Sequence, residues 1–170
     1  MLYNLTKHGN RKVIFILGKG QLLNQSIVSK KPNALFCEAA CPVKVIEIAE
    51  EQFLQLMEQS HALTRAVLRE YERNLWRMGH QLKNTTGNMQ MERKIAAKLW
   101  KLGRDFGVDT EDGVMIDIDL TITLMADLVG APRENVSRAC KVLTDRGLIR
   151  YGNKRFTLTD SDGLADFYKM

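Results

Sequence analysis

The side chains with the most informative chemistry lie at positions 133–141, where charged and hydroxyl groups recur at helical spacing. They are Arg133, Glu134, Ser137, Arg138 and Lys141. An arginine can donate two hydrogen bonds to guanine, and a carboxylate can accept one from the amino group of cytosine. A helix with such a face is typical of proteins that read base edges in the major groove of DNA.

The residues before this helix predict its partner in a helix-turn-helix over positions 120–147. Thr121 can cap a first helix, Gly130 suits an interhelical turn with positive φ, and Pro132 suits the first turn of the second helix. The apolar residues recur at helical spacing in both segments: Leu124, Met125, Leu128, Val129, Val136 and Leu143. The alternative is an ordinary helical hairpin with a charged solvent face, but the combined register of turn and apolar positions favours DNA binding.

A β-hairpin, or wing, is predicted after Gly147, with its turn at Gly152–Asn153. Residues 131–155 contain seven Lys and Arg against two acidic residues, a net charge of +5 that equals that of the whole chain. The basic charge is therefore local, as a phosphate-facing surface requires. The candidate DNA-binding residues are Thr121, Arg133, Glu134, Ser137, Arg138, Lys141, Lys154 and Arg155.

Length and composition favour a cytoplasmic protein with one or two small domains. The chain has 170 residues, of which 45% are hydrophobic and 26% charged. No apolar run approaches the roughly 20 residues needed to cross a bilayer, and the first residues lack the apolar core of a secretion signal. No nucleophile–base arrangement, metal-ligand set or phosphate-binding glycine loop is visible, so we expect neither an enzyme nor a bound cofactor.

The remaining chain predicts strands followed by helices, an α+β organisation. We expect a strand at Lys12–Leu17 followed by a turn at Gly18–Gly20, and another strand at Val43–Ile48. A short helix begins near Glu50, a long one covers about 62–83, and another covers 90–106 before a strand at 114–119. The polar residues 84–88 are a predicted hinge. Three domains follow: 1–50, 51–86 with the short and long helices, and 87–170 with the DNA-binding elements.

The long helix carries an apolar seam with intervals of three, four, three and four residues, the pattern of a coiled coil. Its members are Leu68, Tyr71, Leu75, Met78 and Leu82. Such a stripe can pack within one chain. Here a long helix, a narrow seam and the two-fold symmetry of DNA half-sites favour pairing with a second copy.

In this order of segments the chain resembles the Crp/Fnr family of bacterial transcription regulators. The resemblance is most specific at Leu120–Thr121, Ala126–Leu128, Gly130, Arg133–Glu134, Val136–Arg138, Leu143 and Gly147–Ile149. It implies a partial β-roll sensor domain over 1–50, a coiled-coil dimerisation helix and a winged helix-turn-helix. It also implies that Glu134 and Arg138 contact base edges in a palindromic operator, with Arg133 and Ser137 nearby, and that RNA polymerase is a partner if the protein activates transcription.

Two departures from the family pattern bear on the sensor domain. Alignment puts Asn24–Gln25 and Asn33–Ala34 where cyclic-AMP-binding members have a Gly-Glu and an Arg-Ser pair. Without the arginine we expect an unknown small-molecule effector, if any, but not cyclic AMP. The chain also begins part-way through the roll, so it is either a short form or a fragment of a longer protein.

Two further interpretations remain open. Cys37 and Cys41 suggest a metal or redox pair, but on one strand they would lie about 13 Å apart, too far for a direct bridge. A helix would reopen that option, whereas Cys140 is expected to be a small core residue. As an alternative function, the chain is a dimerising interaction module whose winged helix binds protein; the basic surface argues against it.

Overall fold

The computed structural model describes residues 1–7, 9–23, 26–28, 31–83 and 89–169. They form two compact units, one of residues 1–4 and 15–86 and the other of residues 5–14 and 87–170. Both contain helices and antiparallel strands, so the α+β prediction is confirmed. The predicted hinge at 84–88 and the aligned positions Asn24 and Gln25 lie outside the described residues.

The first unit combines strand pairing with two helices. Strand β1 (Leu2–Leu5) pairs antiparallel with β3 (Phe36–Cys37). Tyr3 lies opposite Phe36, and their rings stack with centroids 5.6 Å apart. Helices α1 (Glu50–Gln59) and α2 (His61–Lys83) follow, as the sequence predicts. Leu2, Phe15, Ile27 and Val67 are buried in this unit.

The predicted strand at Val43–Ile48 is wrong. Residues 38–49 contain no strand, and Ile46 is 91% exposed. A β-pattern becomes a strand only where another strand supplies hydrogen-bonding partners, and none of the described strands pairs with residues 43–48. The earlier strand is present in shortened form as β2 (Arg11–Phe15), and Gly20 in the following turn has a positive φ of 77°.

The second unit contains the winged helix-turn-helix. Its elements in order are α3 (Met91–Phe106), β4 (Gly107–Thr110), β5 (Gly113–Ile116), α4 (Ile122–Val129), α5 (Arg133–Asp145), β6 (Ile149–Gly152), β7 (Arg155–Leu158) and α6 (Ser161–Lys169). The antiparallel sheet has the order β4-β5-β7-β6. Its core includes Leu99, Met125, Leu143, Phe156 and Leu164, all fully buried.

Two elements of this unit were not predicted from the sequence, and a third is shorter than predicted. Strand β4 is exposed along its whole length, so it has no apolar pattern to detect. Helix α6 buries only Leu164 and Ala165. It packs against α3, where the ring centroids of Trp100 and Tyr168 are 5.8 Å apart. Strand β5 ends at Ile116 instead of 119, because the chain leaves the sheet there to enter α4.

Both ends of α4 are set by local hydrogen bonds. The Thr121 hydroxyl accepts from the Leu124 N–H at 3.0 Å, while Gly130 is left-handed (φ 71°) and its N–H donates to the Ala126 carbonyl at 2.7 Å. These bonds satisfy backbone groups that have no partner inside a helix. The predicted cap and interhelical turn are confirmed, although Pro132 is the N-cap of α5 instead of its first helical residue.

We expect Thr121→Ala to lower the free energy of unfolding by about 1 kcal/mol, because the Leu124 N–H loses its acceptor. Thr121→Ser is the matched control, since it keeps the hydroxyl oxygen. Urea denaturation followed by circular dichroism measures both. Equal stabilities of the alanine and serine variants would contradict the capping role.

Candidate nucleic-acid interface

Helix α5 divides into a buried and an exposed side. Val136, Ala139, Cys140 and Leu143 are buried, where α5 packs against α3 and α4. The five residues that the sequence singled out on this helix are all exposed or partly exposed: Arg133, Glu134, Ser137, Arg138 and Lys141. At 3.6 residues per turn they span about 140° of the helix circumference. The structure therefore places all five on one polar face of α5 that is accessible to a binding partner.

A cation lies at the end of α4, next to the interhelical turn. The Lys12 ammonium donates to the Leu128 carbonyl at 2.9 Å, and the Arg11 guanidinium lies 3.7 Å from the Asp127 carboxylate. Gly130 has a positive φ of 71°, which L side chains rarely adopt, so the turn favours glycine at this position. The helix dipole favours a positive charge at this end.

Burial changes the titration of this cluster. Desolvation lowers the pKa of Lys12, and the nearby Lys94 lowers it further. Desolvation raises the pKa of Asp127, while Arg11 opposes that rise. Sequence reasoning missed the cluster, because Lys12 and Leu128 lie 116 positions apart and no local pattern links them.

The wing is a hairpin of β6 and β7 with a two-residue turn. Gly152 pairs with Arg155, so the turn is Asn153–Lys154, one position later than predicted. Both turn residues have positive φ, 50° and 59°, as this hairpin type requires. Tyr151 and Phe156 pack against each other across the strands in a tilted arrangement with ring centroids 4.5 Å apart, which stabilises this register with Gly152 in β6. The Leu120 N–H donates to the Lys154 carbonyl at 2.7 Å and joins the wing tip to the entrance of the helix-turn-helix.

The basic residues of the interface differ in their partners. Arg155 pairs with Asp117, and Arg150 pairs with Asp112 at 2.6 Å. Within the described ranges, the side chains of Arg133, Lys141 and Lys154 take part in no hydrogen bond or ion pair. Three of the candidate cations therefore keep their full charge for a partner, whereas the charge of Arg155 is offset inside the protein.

One polar neighbour of this surface was not among the sequence candidates. The Arg138 guanidinium donates from Nη2 to the Asn135 side-chain oxygen at 2.5 Å. Asn135 is half-buried at the flank of the polar face, three residues before Arg138. An i, i+3 spacing on a helix is the available signal for such a pair.

Helix α2 carries a second surface in the other unit. Leu68, Leu75, Met78 and Leu82 are exposed, with Leu75 at 69%, and Tyr71 is partly exposed. A different face of the same helix is buried and holds Val67, Glu70, Asn74 and Arg77. The predicted seam is thus an apolar stripe on the solvent side of α2. An exposed stripe of large apolar side chains marks a surface for association.

The cysteines show no metal centre in the part of the chain that is described. Cys37 ends β3, but Cys41 lies beyond the strand, so the separation expected for two cysteines on one strand does not apply. Both are exposed and free. Among the described residues, no group of three His, Cys, Asp or Glu side chains is placed to hold a metal ion.

No helix in the described part of the chain combines the length and the apolar character needed to cross a bilayer.

Comparison with known proteins identifies the carboxyl-terminal fold. Residues 93–167 match the Crp-like helix-turn-helix domain. The CRP-like cAMP-activated global transcriptional regulator of Mycobacterium tuberculosis is 25% identical over 158 residues, 92% of this chain and 70% of that protein. The global nitrogen regulator of a Nostoc species is 27% identical over 71% of this chain and 53% of its own length. A Crp/Fnr-family regulator from Thermus thermophilus has the same fold, with TM-score 0.78, 20% identity and coverage of 99% of this chain and 82% of that one.

Differential thiol labelling tests the orientation of α5. Cys140 faces the core, and burial raises its pKa to about 11, so we expect it to resist alkylation at about pH 8. The exposed Cys37 and Cys41 are expected to react fully in the native protein. Mass spectrometry after iodoacetamide treatment should therefore count two adducts in native buffer and three in concentrated guanidinium. Native labelling of Cys140 would contradict the inward orientation of that helix face.

Proposed function

We propose that this chain, whose relatives and fold are those of Crp/Fnr-family transcription regulators with a helix-turn-helix DNA-binding domain, acts as a homodimer on a two-fold symmetric operator. The single observation that carries the proposal is the division of α5. Its inner side is buried in the core, and its outer side presents three cations, a hydroxyl and a carboxylate. The carboxylate is informative, because an acid beside DNA weakens binding unless a base donates to it.

Each exposed group on α5 and the wing has a distinct proposed role. Arg138 donates to guanine and Glu134 accepts from cytosine, with Arg133 and Ser137 contacting bases or phosphates nearby. Lys141 and Lys154 neutralise phosphates, since their ammonium groups have no partner among the described residues. Arg155 contributes less attraction, because Asp117 balances its charge. Thr121 acts mainly by capping α4, and its hydroxyl is already engaged there.

The exposed stripe on α2 is the proposed dimer interface. Pairing two copies along this seam buries apolar side chains that water otherwise surrounds, and gives the complex the two-fold symmetry of an operator. The two recognition helices then lie about 34 Å apart, one turn of DNA. RNA polymerase is a further proposed partner if the protein activates transcription.

If an effector acts on this chain, we propose that it is a small molecule other than cyclic AMP. Activation by cAMP is stated in the name of the Mycobacterium relative. Neither Asn33 nor Ala34, at the positions aligned with the phosphate-binding pair, can supply the cationic fork that holds a cyclic phosphate.

Operator binding tests the base-reading role. Purified protein selects genomic fragments at physiological salt, and the enriched site is compared with a scrambled duplex by fluorescence anisotropy. We expect Arg138→Ala to reduce operator preference about 10- to 100-fold while weak, salt-sensitive binding remains. Lys154→Gly is the control: glycine tolerates the positive φ of the turn, and losing a phosphate contact should weaken both duplexes equally. Unchanged preference in Arg138→Ala, or no enriched symmetric site for the wild type, would contradict the proposal.

The oligomeric state measured by sedimentation tests whether the α2 stripe is the dimer interface. We expect Leu75→Lys to convert a dimer to a monomer, because a charge would be desolvated at the centre of the seam. Ala66→Lys introduces the same side chain at an exposed position about 180° around the helix and should leave the dimer intact. A Leu75→Lys dimer as stable as the Ala66→Lys dimer would exclude this interface.

A further inference from the structure

We propose that Asn135 is a positioning residue that holds the Arg138 guanidinium and keeps it apart from Glu134. This inference rests on the proposed function, since it concerns the specificity of the same surface. It starts from the hydrogen bond of 2.5 Å from Arg138 Nη2 to the Asn135 side-chain oxygen. Asn135 is half-buried, whereas Arg138 is exposed, so the less mobile partner is the asparagine.

The spacing on α5 would otherwise favour a different pair. Glu134 and Arg138 are four residues apart with the acid first, the arrangement in which opposite charges on a helix attract most effectively. No such ion pair forms among the described residues, and Arg138 bonds to Asn135 instead. A Glu134–Arg138 pair would satisfy both base-reading groups internally. The neutral amide of Asn135 prevents that loss without adding a charge.

The hydrogen bond leaves the arginine able to read DNA. A guanidinium has five N–H donors, and one bond to Asn135 leaves four. Two of these suffice for the O6 and N7 atoms of guanine. Restraining the side chain before DNA arrives also reduces the conformational entropy lost on binding, which favours the matched base over competitors. Asn135 therefore acts on specificity through Arg138.

A direct contact from Asn135 to adenine is the competing explanation, because asparagine can bond adenine N6 and N7. A double-mutant cycle separates the two. We expect Asn135→Ala to reduce the ratio of operator to scrambled affinity roughly tenfold in the wild-type background. In the Arg138→Ala background the same change should have no effect. An equal loss in both backgrounds would overturn the proposal and assign Asn135 to a base of its own.

A conservative variant at position 135 gives a second measurement, which a purely structural role of Asn135 would leave unchanged. Asn135→Gln keeps a neutral amide oxygen that can accept from Arg138, so we expect it to retain more of the preference ratio than Asn135→Ala. If Asn135→Gln loses the preference as fully as Asn135→Ala, the amide oxygen is not what matters, and the proposal fails.

A measurement without DNA distinguishes this inference from the proposed function. Nitrogen-15 NMR of the free protein should show separate guanidinium resonances for Arg138, because its hydrogen bond slows rotation, and averaged resonances in Asn135→Ala. Identical averaged signals in both proteins would overturn the positioning contact. Separate wild-type signals in a protein that prefers no DNA sequence would support the contact and refute the proposed function.

Discussion

The burial of one side of α5 is the constraint on which the candidate interface depends. Val136, Ala139, Cys140 and Leu143 remove apolar surface from water as they pack against α3 and α4. Because a helix has 3.6 residues per turn, fixing these four positions also fixes the direction of every other side chain on α5. The polar residues consequently project from the protein on the side away from that packing. Packing in the core thus sets the direction of this polar surface.

The turn that precedes α5 depends on one local contact and on one contact with a residue that is distant in sequence. Gly130 adopts its left-handed conformation beside its own helix end, whereas the Lys12 ammonium comes from a strand 116 positions away. The lysine satisfies a helix-terminal carbonyl and opposes the negative end of the dipole. Burial disfavours the charged form of Lys12 and lowers its pKa. The hydrogen bond to the Leu128 carbonyl offsets part of this desolvation cost.

The basic residues of the interface differ in their interactions, although all of them carry the same charge. Asp112 and Asp117 offset the wing arginines at 150 and 155, Asn135 restrains Arg138, and Lys154 is at a turn whose backbone is joined to Leu120. A count of positive charge gives the same weight to all of these groups. Their partners separate those that retain full attraction for phosphate from those whose charge is balanced or whose direction is restrained.

The sequence by itself determined the features that depend on residues within one or two helical turns of each other. The bounds of α2 and α3, the Thr121 cap, the Gly130 turn and the polar face of α5 all follow from hydrogen bonds and packing at short sequence separation. Tertiary structure decided the rest. Residues 43–48 have a β-pattern but no partner strand among the described residues, the wing turn moved to Asn153–Lys154 under cross-strand packing, and Asp117 engaged Arg155. Strand pairing, hairpin register and ion pairs all require a second segment, and a local pattern does not specify where that segment will be.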